Sequence, residues 1–296
     1  MPELAQIQII LPTFLIILVG YAISKVKRLR FDVQTLLDLI VYIAAPALII
    51  TSIARSDINL INFATLAGAA LTIILIMALA AFLIFKITQS DKKGLYLPMV
   101  FGNTSFLGYP IALAAFGIDG LALAVVYDMM HSLLIYSLGI YIVQQKDEIR
   151  EIFKVPLLYA VVIGMVLNLL KIPIPDMLFA PVELIGMTAI PLALLVLGYK
   201  LAEMKINLSV AKIAVLASIF RILGGLLLAI SIISLFSIEG LVRDIIVLQA
   251  AMPSAIMALV LATKYNRDAS LVAAVVFITT LLSIISIPLI LSIPSA

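Results

Sequence analysis

Two short stretches carry residues whose types and spacing could hold a ligand inside an otherwise apolar chain. The first reads Gly102-Asn-Thr-Ser-Phe-Leu-Gly-Tyr-Pro110. Proline removes a backbone donor and blocks the turn before it, and Gly108 lowers the cost of unwinding there. Asn103, Thr104 and Ser105, followed by Tyr109, set polar groups within about two helical turns of that break. The second stretch reads Gln249-Ala-Ala-Met-Pro253-Ser254, where small residues let another backbone approach closely. Backbone groups freed by such breaks cannot face lipid, so they line protein or a wet cavity. If the two breaks cross near mid-membrane, half-helix N-termini point at the centre and attract an anion. The plainer reading is two ordinary proline kinks in packed helices.

Three ionisable side chains lie deep in apolar sequence, where charge is expensive and tends to be paired or functional. Asp128 and His131 are three apart and share a helix face. They form either a proton-coupling pair or a structural contact that locks the region around them. Arg221 could grip a substrate carboxylate with its planar fork, or neutralise Asp128 or Asp244. Asp38 and Glu183 lie nearer the ends of their segments and serve either as snorkelling groups or along a substrate path.

The elements that position these residues must be membrane helices. The chain has 296 residues, of which 65% are hydrophobic and 12% charged, with a mean hydropathy of +1.28. Soluble domains are about half apolar and about a quarter charged. The absence of Cys excludes disulfides and thiolate chemistry. The net charge of +3 is too small and dispersed for a nucleic-acid partner. A single His rules out the His-Glu-x-x-His metalloprotease pattern and leaves no metal site. No Gly-x-Ser setting pairs with that His, and no Gly-rich carboxylate pair suggests an aspartyl protease. No cofactor is expected, and the chain reads as a non-enzyme.

Ten segments are apolar enough to span a bilayer: Gln6–Ser24, Thr35–Ala54, Asn62–Ile87, Gly94–Phe116, Leu121–Val143, Pro156–Leu170, Leu178–Leu201, Ser209–Phe236, Gly240–Ala262 and Ala269–Leu291. The first is followed by basic residues with no cleavage site, which marks a retained span rather than a signal peptide. Connections on one side carry Lys25, Lys27, Arg28, Arg30, Lys86, Lys92, Lys93, Lys146, Arg150, Lys154, Lys200, Lys205, Lys212, Lys264 and Arg267. The other side has Arg55, Lys171 and Arg243. This bias places both termini outside, with residues 144–155 a cytoplasmic linker between a first repeat (1–143) and a second (156–296). Five spans per half make the repeats inverted. Their likeness shows in Asp38-Leu-Ile…Pro46…Arg55 against Glu183-Leu-Ile…Pro191…Lys200, and in Pro110 against Pro253. Paired, interrupted helices in inverted repeats are the sequence sign of an alternating-access transporter.

Asn-Thr-Ser-Phe-Leu-Gly-Tyr-Pro-Ile-Ala-Leu (103–113) resembles the fourth-helix motif of the auxin efflux carrier family. Gln-Ala-Ala-Met-Pro-Ser (249–254) and Ala-Thr-Lys-Tyr-Asn-Arg-Asp (262–268) resemble its ninth-helix signature and following loop. Plant auxin exporters and bacterial malonate or malate carriers belong to that family. Ser105 stands where many prokaryotic members carry Gly, and the connection after the fifth span lacks the large regulatory loop of long plant members. The resemblance implies a polytopic all-α fold of the bile acid–auxin transporter type: ten transmembrane helices in two inverted five-helix repeats, with helices 4 and 9 broken. It implies a scaffold of spans 1, 2, 6 and 7, with hinge prolines Pro46 and Pro191. A transport domain comes from spans 3–5 and 8–10, and a homodimer forms through the scaffold. Asn103, Pro110 and Pro253 then lie at the crossover beside a carboxylate pocket; Thr104, Ser105, Gly108, Tyr109, Gln249 and Ser254, from the same two stretches, are the further candidates to bind the substrate. The expected activity is elevator-type transport of a small organic anion, such as an auxin-like or dicarboxylic acid, across the cell membrane. A cation–proton antiporter of similar fold and a non-transporting membrane receptor are the alternatives. The antiporter would normally carry an acid at the breaks, where this chain has Asn103 and Gln249.

Overall fold

Apolar side chains fill long helical stretches, and few polar groups compete with the backbone within them. A computed structural model describes residues 2–26, 32–89, 91–144, 156–204 and 210–293, and among these every regular element is helical. The basic residues 27, 28, 30, 146, 150, 154 and 205, which weighed in the expected orientation, lie outside the described residues.

The helices are α1 (Pro2–Ile23), α2 (Val33–Leu39), α3 (Ala45–Ala54), α4 (Leu60–Thr88), α5 (Tyr96–Val100), α6 (Gly108–Leu134), α7 (Ile140–Gln144), α8 (Pro156–Leu169), α9 (Asp176–Met187), α10 (Ala189–Glu203), α11 (Ala211–Phe236), α12 (Gly240–Ala250), α13 (Ile256–Lys264) and α14 (Ala269–Leu291). Among the described residues, six continuous or gently interrupted stretches are long and apolar enough to cross a membrane: Val33–Ala54, Leu60–Thr88, Gly108–Gln144, Asp176–Glu203, Ala211–Phe236 and Ala269–Leu291. This makes the chain a multi-pass membrane protein. Leu18, Ile61, Leu184, Leu227 and Ile285 lie well exposed on its outside, as expected where hydrocarbon is the solvent.

The interruptions have identifiable causes. A π-turn over Ile40–Ala44 separates α2 from α3, and Pro46 sits in the first turn of α3. The start at Val33 precedes the expected Thr35 because Asp32 caps the helix by accepting from the Gln34 amide. The Thr35 hydroxyl and that amide together hold the Asp32 carboxyl below its ordinary pKa. Thr188 breaks α9 from α10, again with Pro191 in the first turn of the second piece. Inside α6, Gly117 has φ of +70°, a conformation open to glycine at little cost. It turns the chain between residues 108–116 and the long helix that continues to Gln144 through a second π-turn, Ile135–Gly139.

Packing falls into two groups. α1 lies along α10, and α3 against α8 and α9. At Gly20 a Cβ would meet the Leu195 carbonyl oxygen at 2.1 Å, and at Gly198 the Ile17 carbonyl oxygen at 1.9 Å, so α1 and α10 touch backbone to backbone. In the other group α4 packs on α6, α11 on α14 and α12, and α12 on α6.

Candidate functional site

The unwound segments 101–107, between α5 and α6, and 251–255, between α12 and α13, are joined to each other. Gly102 and Ser254 form an isolated antiparallel bridge. The Asn103 amide donates to the Pro253 carbonyl at 2.6 Å, and the Ala255 amide donates to the Phe101 carbonyl at 3.0 Å. Main-chain groups that would otherwise be stranded in an apolar interior are thereby paired. Four half-helix ends meet here: the C-termini of α5 and α12 and the N-termini of α6 and α13.

Each bridging residue is also held by a side chain on the next long helix, α6 for Gly102 and α14 for Ser254. The Gly102 amide donates to His131 Nε2 at 2.9 Å, and the Ser254 amide donates to Thr279 Oγ1 at 3.1 Å. Since Nε2 accepts, the other ring nitrogen carries the proton in a neutral imidazole. The His131 ring stands edge-on to Phe101, centroids 5.4 Å apart. Asp128 accepts from the Thr104 hydroxyl, from the Tyr109 hydroxyl at 2.7 Å and, more weakly, from Ser132 Oγ at 3.4 Å. Asp128 and His131 are both buried, but their nearest approach is 3.9 Å, too long for a direct hydrogen bond. Each holds the first break rather than its neighbour.

Arg221 pairs with neither Asp128 nor Asp244. It meets no carboxylate among the described residues. Its Nη1 donates to the Val100 carbonyl at 2.9 Å, Nη2 to Ala250 at 2.8 Å and Nε to Met252 at 3.2 Å. Asp244 pairs instead with Arg243 at 2.7 Å. The physical reason is local: Val100 and Ala250 end α5 and α12, and a helix C-terminus presents unpaired carbonyls and a partial negative charge. Two glycines make room. A Cβ at Gly102 would lie 2.5 Å from Arg221 Nη2, and one at Gly225 would lie 2.0 Å from the Ala250 oxygen.

At the opposite ends the arrangement is reversed. No side chain caps α6 at Leu107 or α13 at Ala255. Two amide atoms in this region, Asn103 Nδ2 and Gln249 Oε1, are buried without a hydrogen-bond partner, a situation that calls for a ligand or an ordered water. Gln249 reaches across to the first break, donating from Nε2 to the Thr104 carbonyl at 3.2 Å, and its Oε1 abuts Gly108. Ser254 Oγ donates to the Pro98 carbonyl at 2.7 Å. The two prolines are not equivalent. Pro253 lies within its break, whereas Pro110 sits in the first turn of α6, where a missing N–H leaves nothing unpaired.

Two narrow clefts adjoin this centre and share Tyr109 and Leu157. One is lined by Asp128, Ser132 and Tyr136 with Ile49 and Val161. The other joins Ser105, Phe106 and Pro110 to Ile40, Val41 and Ala45 at the π-turn and to Ala189, Ile190 and Ala193 past the α9–α10 break. A wider cavity of about 740 Å³ opens between Gln34, Lys200 and Glu203 on one side and Thr263, Lys264 and Ser270 on the other. At the far end Arg55 bridges Glu183 at 2.9 Å and Asp176 at 3.2 Å and lies over the Phe179 ring. Sequence reasoning missed Gly102, Gly225 and Thr279. Gly225, one helical turn after the deeply placed Arg221, had that spacing as its signal; Gly102 and Thr279 left none.

Comparison with known proteins identifies the family. The chain matches the family described as "Membrane transport protein" over residues 6–152 and 143–291. It is 30% identical over 298 residues to an uncharacterised transporter of Methanocaldococcus jannaschii, covering 95% of this chain and 96% of that protein. A second uncharacterised transporter, from Methanothermobacter thermautotrophicus, is 31% identical over 290 residues, covering 95% of each. The chain therefore belongs to the membrane transport protein family, as a prokaryotic member of the auxin efflux carriers.

Proposed function

We propose that the protein carries a small organic carboxylate across the cell membrane, binding it where the two unwound segments cross. One observation carries the reading: the paired breaks leave two half-helix N-termini without side-chain caps beside the unpartnered Asn103 Nδ2. Amide donors and positive helix ends suit an anion. Ser105, Tyr109, Pro110 and the apolar residues around them offer walls for the rest of a small acid.

In this reading ten spans form two inverted repeats with both termini outside. The wide cavity beside Lys200 and Lys264 is the cytoplasmic mouth, and the Arg55 cluster closes the outer end. The two packing groups support a division of labour. α1–α3 and α8–α10 are the scaffold, and the remaining helices move past it as one body, carrying the substrate. The backbone contact between α1 and α10 suits a part that stays rigid, and a homodimer would form through it.

The test is flux in proteoliposomes across a panel of mono- and dicarboxylates, with Asn103→Ala beside the wild type. Wild-type protein exchanges at least one acid, and Asn103→Ala weakens its binding about tenfold or more, as loss of a hydrogen bond to a charged group implies. Unchanged affinity removes the crossover assignment. Binding without flux across the panel replaces the carrier with a receptor.

A further inference from the structure

Half-helix C-termini and unwound carbonyls at such crossovers are where transporters coordinate a coupling cation. In this chain those oxygens are already occupied. Val100 and Ala250 close the two C-terminal half-helices, Met252 lies in the second break, and all three carbonyls accept from one guanidinium. Arg221 is 3% exposed and has no carboxylate within salt-bridge reach among the described residues. Its counter-charge is the backbone. Each helix C-terminus carries about half a negative elementary charge, so two together offset roughly one cation. Gly102 and Gly225 have just the space that this seat requires.

We propose that Arg221 is a tethered cation filling the seat of a mobile one, so that the crossover is complete without sodium and carboxylate movement is independent of the sodium gradient. Removing the side chain would turn the same three carbonyl oxygens into a site for a small cation, with sodium or free guanidinium as occupant. The inference builds on the crossover as the transport site proposed above. Its main readout is stability rather than flux, so the two can fail separately.

The experiment uses the full chain in nanodiscs. Thermal unfolding is followed in choline, sodium and guanidinium chlorides at equal, low ionic strength. Wild-type protein should show the same transition in sodium as in choline. Arg221→Ala should unfold roughly 5–10 °C lower in choline, from the loss of three hydrogen bonds to buried carbonyls. Sodium or guanidinium should restore about half of that loss by binding the folded state. Stabilisation of the wild type by sodium over choline overturns the proposal, as does an Arg221→Ala protein that responds to neither cation. If Arg221→Ala does not accumulate, Arg221→Lys and wild-type flux decide. Arg221→Lys should be less stable and indifferent to sodium, and wild-type exchange should be equal under inward and outward sodium gradients. A sodium response of Arg221→Lys, or a gradient-dependent wild-type rate, overturns it.

Discussion

The two breaks share a backbone plan and differ in their chemistry. In both, a short unwound segment follows a half-helix whose last carbonyl is taken by Arg221. In both, the bridging residue gives its amide to a side chain on the next long helix, His131 for Gly102 and Thr279 for Ser254. The match ends there. Three residues before His131 stands Asp128, gathering the hydroxyls of Thr104 and Tyr109. Three residues before Thr279 stands Val276, fully buried and apolar. Gln249, the amide side chain preceding the second break, points across to the first. The symmetric part is thus the frame, and the polar equipment is gathered on one side. A histidine that does what a threonine hydroxyl does in the other half does not need to titrate to justify its place.

The largest effect that would separate the two sides lies in the bridge itself. Gly102→Ala pushes a methyl group into Arg221 and should destabilise the protein by about 1–3 kcal/mol. Ser254→Ala loses only the bond to Pro98 and should cost about 1 kcal/mol. Chemical unfolding in mixed micelles ranks them; equal losses would mean that the Arg221 seat is looser than its geometry. Next come the two amide acceptors. His131→Leu and Thr279→Val each leave a buried N–H unpaired and should cost about 1–2 kcal/mol alike. His131→Gln, which can still accept, should recover most of the loss and keep the wild-type pH dependence of transport. A flattened profile in His131→Gln would return His131 to a proton-coupling role.

Asp128 supplies the third comparison. A carboxylate beside a bound anion repels it until a proton arrives. Wild-type carboxylate exchange should therefore rise as pH falls, by at most about tenfold per pH unit for a single proton, and Asp128→Asn should be flat. A pH-dependent Asp128→Asn would place the proton elsewhere. The smallest effect belongs to the other tie between the halves, at the surface. Arg55 and Glu183 are both well exposed, so Arg55→Ala should shift unfolding by less than about 1 kcal/mol and less still in high salt.

The apolar helices were legible in the sequence because lipid demands them, and the breaks because proline and clustered polar residues punctuate a greasy run. Asn103, Thr104 and Gln249 were readable for the same reason. The bonds that hold the centre were not. Gly102, Asn103, Pro253 and Ala255 meet through backbone atoms, which every residue type carries. Arg221 invited a search for an acidic partner, but its partners are carbonyls and have no letter in the sequence. Pro110 looked like the twin of Pro253. A proline that begins a helix and one that interrupts it differ only by where the turn falls, which the local sequence does not mark.

The bridge between the breaks also bears on how the chain is made. Asn103 and Pro253 are 150 residues apart. While the first half is already in the membrane, the Phe101 carbonyl and the Asn103 amide have no mates, because these are still to be synthesised. Polar main chain unmated in hydrocarbon is costly, so the early segment must wait in a shielded or partly inserted state until the residues from Gly240 to Lys264 arrive. Completion of this second break is then the step that commits the nascent protein. A chain ending before it would keep its vulnerable centre open to the cell's quality-control proteases.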